Sequence, residues 1–150
     1  MDIDGASTEI PELIGRQLAD IDFLLPNDDD LTYCLIELDA GSLQFLLDNI
    51  DKFVDPMART LCWSTAWEMT RAGTMRARDF IQLVARGMQA ETELAVLERI
   101  VLQASSALKN YADPQWAAQS TLLADALLDG ARSTDAQRSI PGTGEDSSAR

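Results

Sequence analysis

The side chains able to do chemistry in this sequence are few, and their types and spacing limit what they can do. Histidine is absent. A Ser-His-Asp or Cys-His relay therefore cannot be built from this chain, because each needs an imidazole to take and return a proton. The H-E-x-x-H zinc site is excluded for the same reason. Cys34 and Cys62 stand in no C-x-x-C or other metal-ligand spacing. Both lie in apolar patterns, so both are expected to be buried free thiols, which fits a cytoplasmic location. Gly5, Gly15, Gly41, Gly73 and Gly87 are isolated, and Gly142 and Gly144 sit in a polar stretch, so no phosphate-cradling loop is present.

Carboxylates are the remaining candidates. Asn27-Asp28-Asp29-Asp30 is the densest cluster. An EF-hand loop starting at Asn27 would need Gly at its sixth position and Glu at its twelfth. Those positions hold Thr32 and Leu38, so the cluster is expected to be a polar turn. Glu91, Glu93 and Glu98 read as helix-start and solvated-face charges. Trp63 and Trp67, one helical turn apart and near Met69, read as core rather than a ligand pocket. Arg71, Arg76, Arg78 and Arg86 form a loose basic group, expected to pair locally with the abundant carboxylates; contact with another domain or a peptide is the other reading. No catalytic, cofactor-binding or metal-ligating residue is assigned.

The elements that carry these residues follow from pattern. The 150 residues are 46% apolar, enough for a core, with a net charge of −13 spread along the chain. Such acidity disfavours both nucleic-acid backbones and anionic lipid surfaces. No apolar run is long enough to span a membrane, and Met1 to Gly5 lacks the basic start of a signal peptide. Residues 1–38 read as extended. Ile10 to Leu13 and Ile21 to Leu25 are short apolar runs, and Leu31 to Leu38 is the clearest strand, with Tyr33 and Leu35 on one face and Cys34, Ile36 and Leu38 on the other.

From Asp39 the apolar period becomes helical. Ser42 is expected to cap a helix carrying Leu43, Leu46, Leu47 and Ile50. Asp55-Pro56 starts a second, which Gly73 ends. A third begins near Thr74 or Met75 and uses Phe80, Ile81, Val84 and Met88. A fourth spans 91–111 on a spine of Leu94, Leu97, Val101 and Leu108. Asp113-Pro114 starts a fifth, with Trp116, Leu123, Ala124 and Leu127, ending at Gly130. Residues 133–150 are too polar to offset their ordering entropy and are expected to be disordered. The expected fold is mainly α: HEAT-like antiparallel helical hairpins after a short β-rich segment.

The run Leu25-Pro26-Asn27-Asp28-Asp29-Asp30-Leu31-Thr32-Tyr33, followed by Leu38-Asp39 and Ser42-Leu43, resembles a junction in the bacterial aminopeptidase N family of zinc gluzincin peptidases. Asp55 to Arg59, Trp63 to Gly73, Arg78-Asp79-Phe80 and Gln89 to Glu93 resemble the helices that follow. Asp4-Gly5, Glu9 to Leu13 and Gly15 resemble the preceding hairpin. The resemblance implies that 1–38 ends a β-sandwich spacer, 39–132 begins a helical C-terminal domain, and 133–150 is a tail. It implies that zinc belongs to a catalytic domain elsewhere in the parent polypeptide, with none bound by this chain. The role implied is part of the wall of a chamber that admits peptide substrates. The rival reading is an autonomous HEAT-like interaction module.

Overall fold

The structure, a computed structural model, describes residues 5–17, 21–31 and 33–119. The expected tail at 133–150, the positions Leu123, Ala124, Leu127 and Gly130, and Thr32 lie outside the described residues. The described chain is mainly helical, with α1 Ala40–Asn49, α2 Pro56–Ala72, α3 Ala77–Gly87, α4 Leu94–Asn110 and α5 Pro114–Gln119.

Local chemistry sets the helix limits. At α1 the cap is Asp39, not Ser42: its Oδ1 accepts from the backbone N–H of Gly41 at 2.9 Å and of Ser42 at 3.1 Å. The carboxylate, one position before the first helical residue, reaches the free N–H groups that Ser42, already inside the turn, cannot. Asp55 caps α2 as expected, with Pro56 in its first turn, and Gly73 stops it with φ 80°. That left-handed conformation costs glycine little. The third helix starts later than expected, because residues 74–76 are used up in the turn after Gly73, where Thr74 and Met75 N–H groups both donate to the Met69 carbonyl.

Leu46, Ile50, Cys62, Trp63, Ala66, Phe80, Ile81, Val84, Ile100, Ala104 and Ala107 are wholly buried in one core. The most extensive helix contact is between α3 and α4, and α2 also packs on both. The expected spine of α4 is displaced. Ile100, Ala104 and Ala107 face inward, while Leu97, Val101 and Leu108 are half-buried at the margin. Small alanines let α4 approach closely, which a search for large apolar residues passes over.

Gly87 marks the tightest approach. A Cβ there would lie 2.7 Å from the Trp63 ring and 2.8 Å from Ile50. Glycine is required here for space, not for its backbone freedom.

The segment before α1 differs most from expectation. Among the described residues there is no β-strand. Pro11–Leu13 forms a short 3-10 turn instead of an extended run, and Asp28–Asp30 forms another. Residues 33–38 take no regular secondary structure; a strand needs a hydrogen-bonding neighbour, and none of the described residues supplies one. The alternation is nevertheless present: Leu38 is buried and Ile36 half-buried, whereas Tyr33 and Leu35 point outward.

Candidate functional site

The polar feature most firmly built into the fold joins α2 to the α3–α4 connection. Arg59 and Trp63 lie one turn apart on the inner face of α2. Glu91 lies three residues before α4, after a 3-10 turn at Met88–Ala90. Its carboxylate receives Arg59 Nε at 3.0 Å and Nη2 at 3.2 Å. It also receives the Trp63 indole N–H at 3.1 Å. The backbone N–H groups of Thr92 and Glu93 complete its shell at 3.0 and 3.2 Å. Arg59 Nη1 donates to the Phe53 carbonyl at 2.7 Å. Both side chains are nearly inaccessible, at 6% and 1%.

Burial alone would push the Glu91 carboxyl up. The Arg59 hydrogen bond, the Glu93 N–H, the Trp63 indole and the Arg59 charge outweigh it and hold the carboxyl below its ordinary range. The expectation that Glu91 is a solvated charge is therefore corrected. The signal available in the sequence was Arg59 itself, on the buried stripe of α2, where a cation needs a buried partner. This arrangement is a staple: every lone pair in use is facing a fixed donor, and it offers no open position to a substrate.

The other singled-out residues are dispersed. Asn27 to Asp30 folds as a turn in which Asn27, Asp29 and Asp30 take left-handed φ of 60°, 66° and 52°. Among the described residues no group of His, Cys, Asp or Glu could hold a metal ion. Cys62 is buried and Cys34 exposed. The expectation of two buried thiols fails at Cys34, because none of the described residues pairs with the segment that carries it.

Three of the four arginines pair locally, Arg71 with Glu68 at 2.9 Å and Arg78 with Asp79 and Arg86 with Asp48 at 3.6 Å. Arg76 forms no ion pair among the described residues. It borders an open groove of about 600 Å³ whose lining includes Thr70, Arg78, Tyr111, Asp113 and Trp116. Asp113 is committed there, accepting from the N–H groups of Gln115 and Trp116 at 2.8 and 3.2 Å as the cap of α5. The groove holds no nucleophile beside a base.

Trp67, expected in the core, is half-buried at its margin, its ring 5.5 Å from Phe80 and 6.1 Å from Tyr111. Several large apolar side chains face outward among the described residues: Tyr33 is 107% and Leu35 83% exposed in residues 33–38, and Leu31, Val54 and Leu102 are exposed elsewhere. No helix among the described residues is long and apolar enough to cross a membrane.

The described residues thus form a helical unit whose α2 is tied to the α3–α4 connection by a buried ionic staple. Comparison gives the family. Residues 23–148 match the ERAP1-like C-terminal domain, and the chain belongs to that family. It is 36% identical over 114 residues to a protein of Streptomyces lividans described as "Aminopeptidase N". The match covers 76% of this chain and 13% of that relative, so the chain spans a small part of its length.

Proposed function

We propose that this chain is a non-catalytic C-terminal portion of a zinc aminopeptidase that removes N-terminal residues from peptides. Residues 1–38 end a β-sandwich spacer, 39–132 open a HEAT-like domain of antiparallel helical hairpins, and 133–150 form a tail. The helical part is a section of the wall enclosing the active-site chamber. Its partners are the catalytic domain of the same polypeptide and, across the chamber, the peptide substrate. Zinc belongs to that catalytic domain, where a metal-bound water would attack the first peptide bond. A cytoplasmic setting belongs to the same reading.

The observation that carries this reading is the similarity to the Streptomyces aminopeptidase N, of which this chain spans 13%. The exposed Tyr33 and Leu35 support it, because a β-domain beside the helices would cover them. The test is to express the longest reading frame containing this sequence and assay release of N-terminal residues with and without a zinc chelator. Chelator-sensitive release by the long protein and none by this chain is the expected result. A reading frame with no H-E-x-x-H, or a long protein without such activity, would instead favour the autonomous interaction module.

A further inference from the structure

The chain ahead of α1 meets the helices through a short relay. The Leu24 backbone N–H donates to Ser42 Oγ at 3.0 Å. The Ser42 hydroxyl in turn donates to Asp39 Oδ2 at 2.6 Å. The other Asp39 oxygen caps α1 through the Gly41 and Ser42 N–H groups. Ser42 thus accepts and donates at once, and it is only 4% exposed. Its hydroxyl bond is the main reason the Asp39 carboxyl lies below its ordinary range. Gly41 leaves room for the carboxylate, since a Cβ there would stand 3.1 Å from Asp39 Oδ1.

Beside the relay, the Phe23 ring stacks on Phe45 at 5.6 Å and meets the edge of Phe53 at 5.1 Å. Leu25 and Ile36 pack against the same core, and Leu38 is buried in it. A free linker would show neither a committed backbone N–H nor apolar residues seated at both of its ends.

We propose that this junction is a rigid joint. The Leu24–Ser42–Asp39 relay and the Phe23 seat clamp the segment ahead of α1 onto it, so that the helices and that segment move as one body. On the reading proposed above, the chamber wall then cannot swing about the boundary at 38/39, and the outward face of Tyr33 and Leu35 is carried with it. Only that consequence rests on the aminopeptidase reading; the clamp is a property of this chain.

Residue-resolved hydrogen exchange on the intact chain tests it, with no peptidase assay involved. The Leu24 amide should be protected about tenfold or more relative to the exposed Tyr33 and Leu35 amides. Ser42→Ala should bring Leu24 down to their level while the amides of α2 and α4 keep their protection. Equal exchange of Leu24 and Leu35 in the unsubstituted chain would overturn the joint, and this comparison decides even if Ser42→Ala does not fold. Unchanged Leu24 protection in a folded Ser42→Ala variant would overturn the relay.

Discussion

At the scale of single residues, Glu91 shows how a carboxylate in a chain with 25 acidic residues can become indispensable. A buried carboxylate stays ionised only while its donors stay in place. Replacing Arg59 with Met leaves Glu91 buried without its cation, and the cost should be about 3–5 kcal/mol in denaturant unfolding. The pH dependence follows from the same contacts. Because folding lowers the Glu91 pKa, its stabilisation is complete above the unfolded-state pKa and disappears as pH falls through the folded one. The melting temperature should therefore change little from about pH 8 to about pH 6 on this account and fall in acid. Glu91→Gln should flatten part of that acid limb, though Asp39, also lowered, will keep some of it. Gly87 offers a prediction of the opposite kind. Gly87→Ala would raise helix propensity on an exposed helix, yet here the added methyl meets Trp63 and Ile50, both wholly buried. Overpacking should dominate and destabilise by about 1–3 kcal/mol. A thermal melt showing stabilisation would mean that the α2–α3 contact has slack.

At the scale of elements, α2 organises the helical part. Its limits were legible because Asp55, Pro56 and Gly73 act locally, through a cap, a fixed φ and a left-handed stop. Asp55→Ala should cost about 1 kcal/mol. Its two tryptophans differ in degree. Trp63 is wholly buried, while Trp67 is half-buried between Phe80 and Tyr111. Trp67→Ala should thus cost about 3 kcal/mol and Trp63→Ala about 5 kcal/mol, read as loss of unfolding free energy. A Trp67→Ala melt like that of the unsubstituted chain would recast Trp67 as a surface free to contact a substrate.

Ala104 and Ala107 join Ile100 on the inner face of α4 because small residues permit close packing, and hydrophobicity alone ranks Leu97 and Val101 above the two alanines. The start of α3 lies later than the sequence pattern predicts, because the turn after Gly73 uses backbone hydrogen bonds that leave no trace in residue type. The Asp39 cap was hidden by Ser42, a better-known capping residue that is instead the middle of a relay. Leu31 to Leu38 has a strand's alternation but no neighbour among the described residues, and pairing is a property of two segments, not one.

At the scale of the whole molecule, the outward face of that segment separates the two readings of what this chain does. Leu35 is 83% exposed, while its neighbour Ile36 is turned toward the helical core. In the chain alone, Leu35→Lys places a charge in water. Its effect on stability should stay within about 0.5 kcal/mol, as for most surface substitutions. If a β-domain of the parent aminopeptidase covers this face, the same lysine in the long protein would be buried without a partner. Burying an unpaired cation is costly enough to shift its pKa or expel the segment that carries it. The long protein should then melt markedly lower with Leu35→Lys than without it. The joint at Ser42 would transmit that loss to the helices rather than absorb it in a linker. Tyr33→Lys should act in the same direction, since Tyr33 shares the face. Equal, small effects in the chain and in the long protein would show that nothing covers the face. The chain would then stand as a self-sufficient helical module, with Tyr33 and Leu35 as its free contact surface.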